Sequence, residues 1–182
     1  MPLYRSLLFG VLWLFAAPAA GQLELNPYVG LFSGENQLTL IGATDGLDIY
    51  DAQRYAVGLD VLFGAGQLAP TAGLLYRPGK YESRTAEDFT QHRLHVPLGL
   101  AYRVIAPDFD INLVPALAVV PGFRFGDGPA NDQSISWSGR AGIRVYLDWF
   151  TLGVHYFRTF TDSFSTGEHR EGRVLYTVGA RF

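Results

Sequence analysis

The amino-acid sequence predicts an all-β protein, an eight-stranded antiparallel up-and-down transmembrane β-barrel. Three observations predict it. Apolar residues recur at every second position through eight segments of about ten residues, the length of a strand that crosses a bilayer at a tilt. The connections between the segments alternate long and short. Charged residues stand in mid-segment on the opposite parity, among Gly, Ala, Ser and Thr, which suits a narrow lumen crossed by long side chains.

Composition bounds the alternatives. In 182 residues, 48% are hydrophobic and 17% charged, which excludes a disordered chain. The 21 glycines, 10 prolines and 14% aromatic residues are too much punctuation for a helical bundle. A net charge of -3 gives no electrostatic basis for binding nucleic acid. The absence of cysteine excludes a disulfide scaffold, a thiolate metal site, a cysteine nucleophile and an acylated-cysteine lipoprotein.

The first element, residues 1–20, reads as a secretory signal peptide. Arg5 is its only charge, an apolar stretch runs from Leu7 to Ala17, and Ala19, Ala20 and Gly21 follow. Cleavage before Ala20, Gly21 or Gln22 fits equally. An uncleaved anchor is disfavoured because Pro18 and the alanines end the run early. Residues 21–182 are then the barrel domain, exported and cysteine-free.

The strands follow in order. Residues 23–32 give a weak first alternation. Residues 53–63 set Tyr55, Val57, Leu59, Val61 and Phe63 against Arg54, Ala56, Gly58, Asp60 and Leu62. Residues 68–77 are a weaker third strand, and 93–103 set Leu94, Val96, Leu98, Leu100 and Tyr102 against Arg93, His95 and Arg103. Residues 111–123 form the fifth. In 135–147, Ile135, Trp137, Ile143, Val145 and Leu147 oppose Arg140 and Arg144. Residues 151–160 carry His155 on the polar parity, and 173–182 set Val174, Tyr176, Val178, Ala180 and Phe182 against Arg173 and Arg181. Long links are expected at 33–51, 78–91, 126–134 and 161–172, short ones at 64–67, 105–110 and 148–150. An even strand count puts both mature termini on the short-link side. Pro27, Pro70, Pro97 and Pro115 each remove a ladder donor and read as bulge or rim positions.

A soluble lipocalin-like barrel would point the apolar parity inward around a ligand; a membrane barrel points it outward. The mid-strand charges and the aromatics near strand ends (Tyr55, Phe63, Tyr76, Tyr102, Trp137, Trp149, Tyr156, Tyr176) favour the membrane. So does the ending: Tyr176, Val178 and Phe182 on one face resemble the C-terminal assembly signal of bacterial outer-membrane barrels. An open sheet cannot span hydrocarbon, because each unpaired backbone group costs several kcal/mol there, so the ladder must close.

The segments LHVPLGLAYR (94–103), INLVPALAVVPGFRFG (111–126), LGVHYFRTFTD (152–162) and the terminal YTVGARF resemble the PorT-like family of outer-membrane β-barrel domains. They are more loosely similar to the small OmpA/OmpX-type barrels. The resemblance implies an eight-stranded barrel in the bacterial outer membrane, and it carries no active-site motif.

Candidate chemistry is sparse. His92, His95, His155 and His169 lack ligand spacing, so His95 and His155 read as hydrogen-bonding lumen residues and no metal site is expected. Asp45, Asp48, Asp51, Asp127, Asn131 and Asp132 lack the pattern of a calcium loop and read as solvated acids. No catalytic residue and no cofactor is expected. The residues expected to matter are a lumen charge network of Glu24, Arg54, Asp60, Arg93, His95, Arg140, Arg144, His155 and Arg181. Arginine–carboxylate forks there would plug the interior rather than line a pore. The expected role is structural, or binding through the long loops to an envelope or surface partner. Outer-membrane lipids and the barrel assembly machinery are the other expected partners. A lipid-modifying enzyme of the deacylase or acyltransferase type is the alternative, and a soluble periplasmic barrel for a hydrophobic ligand a third reading.

Overall fold

Period-two alternation resolves into strands in the computed structural model, which describes residues 23–33, 37–41, 47–52, 54–78, 80–83, 89–105, 111–126, 135–161 and 172–182. The expected signal segment, most of the link 105–110, His169 and the acids Asp45, Asp127, Asn131 and Asp132 lie outside these residues. The strands are β1 (Leu23–Ser33), β2 (Gln37–Ile41), β3 (Leu47–Ala52), β4 (Tyr55–Phe63), β5 (Leu68–Arg77), β6 (Lys80–Ser83), β7 (Phe89–His95), β8 (Leu98–Tyr102), β9 (Val104–Ile105), β10 (Ile111–Gly126), β11 (Ile135–Leu147), β12 (Phe150–Thr159) and β13 (Gly172–Ala180).

All pairings are antiparallel. The wall runs β1, β4, β5, β8, β10, β11, β12, β13 and closes on itself, with Val29 of β1 opposite Val57 of β4 on one side and Val178 of β13 on the other. Strands β7, β8 and β9 form one wall strand. The register against β10 is the same on both sides of Val96–Pro97, with Gly122 opposite His95 and Val119 opposite Leu98. The result is a closed eight-stranded barrel without free edges, as the hydrocarbon argument requires. The seam is completed by the last residue: Phe182 N–H donates to Leu25 O (2.9 Å) and Leu25 N–H to Phe182 O (3.0 Å).

Two expectations are corrected. Nearly all the described residues of the links 33–51 and 78–91 are strand. β2 pairs with β3, β3 with β6 and β6 with β7, so the first two hairpins rise past the closed ring. β4–β5 and β3–β6 share one register (Val57 opposite Tyr76, Ala52 opposite Tyr81), so the ladder simply continues upward. The prolines are not bulges either. Pro27, Pro70 and Pro115 sit in continuous strands opposite Leu59, Leu100 and Ile143. Each strand has two neighbours, so a proline's missing N–H weakens the ladder on one side only. The short links behave as expected where described: residues 64–67 turn with Gly64 at a φ of 89°, and Asp148 and Trp149 turn with Asp148 at 57°.

The two parities face opposite ways. Leu25, Val29, Leu31, Val57, Leu74, Leu100, Leu117, Val119, Ile143, Val154 and Val178 are exposed on the outer wall. Aromatics mark both ends of this apolar belt: Tyr55, Tyr76, Phe123, Trp137 and Phe160 at the long-link end, Tyr102, Trp149 and Phe182 at the other. Trp137 and Leu147 are ten positions apart on β11. At ~3.3 Å per residue and a tilt of ~40°, that spacing spans ~25 Å, the height of a transmembrane barrel's apolar band.

Candidate functional site

The inward parity carries the chemistry. β4 and β11 stand diametrically opposite in the eight-strand ring, and Asp60 of β4 reaches two arginines of β11. Arg140 forms a fork on it, with Nη1 3.2 Å from Oδ1 and Nη2 3.1 Å from Oδ2, and Arg144 Nη2 donates to Oδ2. All three are buried, Asp60 to 1% exposure, Arg140 to 4% and Arg144 to 6%. Two arginines on one carboxylate, tied through charge-assisted hydrogen bonds, bridge the barrel across its diameter.

Glycines make this clamp fit. Asp60 stands beside Gly73 in the register, and a Cβ on Gly73 would collide with its carboxylate. His155 lies in the same way across Gly142, the inward residue between Arg140 and Arg144, and Tyr28 across Gly58. These glycines receive the tyrosine, aspartate and histidine against which the arginines are set.

The network continues toward the short-link end. Arg144 Nη1 donates to the Tyr146 hydroxyl (3.4 Å), and the Arg181 guanidinium lies over the Tyr146 ring, 5.2 Å from its centroid. Glu24 receives Arg103 (3.5 Å), Arg181 (3.7 Å) and Asn26 Nδ2 (3.1 Å). Arg103 also donates to Gly64 O (3.0 Å) and Gly66 O (2.6 Å), anchoring the 64–67 turn. Toward the long-link end Arg77, Arg93, Arg124 and Arg173 are all buried; Arg77 lies over Phe32 at 5.0 Å and Arg93 reaches Gln91 Oε1 at 3.4 Å.

Of the residues singled out by sequence, Glu24, Asp60, Arg140, Arg144 and Arg181 therefore share one connected network. His155 packs beside its clamp, and Arg93 and His95 stand above it, His95 against Gly122. Arg54 departs from expectation. It precedes β4 and is exposed, because it lies at the rim, where the inward parity opens to solvent. Tyr28, Asn26, Tyr146, Arg124 and Arg173 were not singled out; each stands on the inward parity of its strand, which was the available signal. Tyr176, Val178 and Phe182 are exposed on the outer wall, Phe182 to 75%.

His155, expected as a hydrogen-bonding lumen residue, is instead 1% exposed beside the clamp with no hydrogen-bond partner on either ring nitrogen among the described residues, and it is out of reach of a lipid at the outer wall. On that wall, Tyr76 Oη and His92 Nδ1 are 2.7 Å apart, and the His92 ring stacks on both Tyr76 and Phe125 at the aromatic rim.

No family model and no curated protein matches the chain. Solved structures do. The outer membrane protein Ail of Yersinia pestis in a phospholipid nanodisc is similar over 88% of this chain and 100% of its own, at 14% identity and a TM-score of 0.53. A crystal structure of Ail, the attachment invasion locus protein, is similar over 87% and 98%, at 14% identity and a TM-score of 0.52. The outer membrane enzyme PagL is similar over 87% and 98%, at 13% identity and a TM-score of 0.49. At these identities the likeness is one of fold: the chain has the architecture of the small eight-stranded outer-membrane barrels.

Proposed function

We propose that residues 21–182 are an integral outer-membrane barrel with a structural or loop-mediated binding role, its lumen closed by charged side chains, and that residues 1–20 are its secretory signal. One observation carries this reading: an apolar belt about 25 Å tall faces outward while a buried Asp60–Arg140–Arg144 clamp spans the interior. The mature termini and short turns then face the periplasm, and the raised sheet of β2, β3, β6 and β7 faces outside. That sheet, with the long links, is the surface for an envelope or surface partner, and the exposed face ending in Phe182 is the one offered to the assembly machinery. The mid-chain and terminal segments that resemble the PorT-like family support the same placement.

The topology is tested by epitope insertion in intact cells. An epitope in 42–46 or 84–88 is expected to be labelled from outside, and one in 64–67 only after the envelope is opened. The reverse pattern overturns the orientation. Release of the protein by carbonate washing overturns membrane integration and favours the soluble barrel. A gene-dependent change in lipid A mass favours the enzyme.

A further inference from the structure

The outward parity of the wall holds a single charged side chain among the described residues, Arg158 of β12. It is exposed, and its lateral neighbours across the two ladders are Gly139 of β11 and Gly172 of β13, neither of which has a side chain. Among the described residues no carboxylate shares the outward parity of β11, β12 or β13. Along its own strand Arg158 stands between Tyr156 and Phe160, and Phe160 N–H donates to Trp137 O (2.8 Å), so Arg158 lies one outward position inside the aromatic rim at the long-link end. A charge on the lipid face is costly at the bilayer midplane and nearly free of cost close to the interface. This depth, with a long stem that lets the guanidinium reach the headgroups, is where such a charge is tolerated.

Directly beneath Arg158 the wall is concave. Small residues on β11 make the floor, Gly139 and Ala141; Leu117 and Val119 of β10 stand on one side, Val154 and Tyr156 of β12 on the other. The recess has a volume of about 1220 Å³. Its top is fixed by the Phe160 ring, which lies across Gly139: a Cβ there would come 2.8 Å from Cζ.

An apolar recess opening on the hydrocarbon side suits an acyl chain. A planar guanidinium with no carboxylate beside it on that face among the described residues, at headgroup depth, suits a phosphate, which it meets with paired hydrogen bonds. We propose that Arg158 and this groove seat one anionic, phosphate-bearing lipid of the leaflet at the long-link end. Its phosphate lies on the guanidinium and an acyl chain runs below the Phe160 ring, over Ala141 between Leu117 and Tyr156. The proposal rests on the membrane reading above and adds a defined lipid site to it.

Native mass spectrometry of the detergent-extracted protein tests it, with phosphatidylglycerol and phosphatidylcholine of identical chains as probes. Heat-modifiable migration of each variant is measured first, so loss of the barrel is recognised separately from loss of the site. The expected result is retention of one phosphatidylglycerol about tenfold more tightly than phosphatidylcholine, a preference removed by Arg158→Gln. Ala141→Phe, which fills the groove and keeps the charge, is expected to lower retention of both lipids. Equal retention by the wild type and Arg158→Gln overturns the proposal. Competition by inorganic phosphate overturns the lipid assignment, and unchanged retention in Ala141→Phe overturns the groove.

Discussion

Asp60 has more buried positive charge around it than it can neutralise: one carboxylate holds Arg140 and Arg144, both nearly inaccessible to water. Removing one partner of a buried ion pair leaves an uncompensated charge, at a cost of about 3–5 kcal/mol, whereas replacing the whole group by apolar residues is often nearly neutral. Asp60→Ala is therefore expected to lose about 3–5 kcal/mol in guanidinium unfolding of the folded protein in vesicles, and Asp60→Leu with Arg140→Met and Arg144→Leu to recover most of it. Comparable losses in both variants would assign the stabilisation to packing rather than to charge pairing. Gly142 makes a second residue-scale test. Its missing Cβ is where His155 lies, against the backbone of the next strand, so Gly142→Val is expected to destabilise while Gly66→Ala, at an open turn position, is tolerated. The parity of Asp60, Arg140 and Arg144 was legible in the sequence. Their partnership was not, because positions 80 and 84 residues apart meet only once the ring has closed and set β4 opposite β11.

At the scale of elements, the strong alternations from 53–63 onward were legible to within a few residues at their ends, as were the turns at 64–67 and 148–149. Proline and the long polar links misled for different reasons. A proline interrupts a ladder only toward one neighbour, and a closed wall supplies the other, so Pro27, Pro70 and Pro115 remain inside strands. The hairpins β2–β3 and β6–β7 rise beyond the apolar belt, where the period-two contrast between lipid and lumen no longer exists to mark them. β10 makes the same point by length. Its 16 residues extend ~40 Å along the barrel axis at ~3.3 Å each and ~40° tilt, well past a ~25 Å belt. At Phe182, just past β13, closure of the seam can be tested apart from the proposed assembly signal. Its backbone closes the seam onto Leu25 and its side chain stands 75% exposed. Deletion of Phe182 is expected to reduce the heat-modifiable fraction both on refolding into detergent and in cells. Phe182→Ala keeps both backbone hydrogen bonds, so it is expected to refold in detergent and to assemble poorly in cells. A refolding defect in Phe182→Ala equal to that of the deletion would make the side chain structural rather than a signal for assembly.

At the scale of the whole molecule, the arrangement of charge separates a wall from a pore. An eight-stranded ring has an interior about as wide as the side chains that fill it. Here that interior is crossed at mid-height by the Asp60–Arg140–Arg144 clamp, flanked by His155 and Tyr28, and below it by Tyr146, Arg181, Glu24 and Arg103. An ion moving along the axis would have to displace hydrogen bonds between buried charges, each held by partners on the opposite or adjacent wall. The wild-type protein in planar bilayers is therefore expected to give no steady conductance above leak. Truncating the clamp, Asp60→Ala with Arg140→Ala and Arg144→Ala, removes the three side chains that span the diameter and is expected to produce small, flickering ion currents through the vacated section. Conductance steps of equal size in both proteins would mean that current passes where the clamp does not stand. Steady conductance in the wild type alone would overturn the closed lumen and with it the binding reading of this barrel. The exterior is unaffected by the triple substitution, so both proteins should insert with the same orientation, which makes the comparison one of the lumen alone.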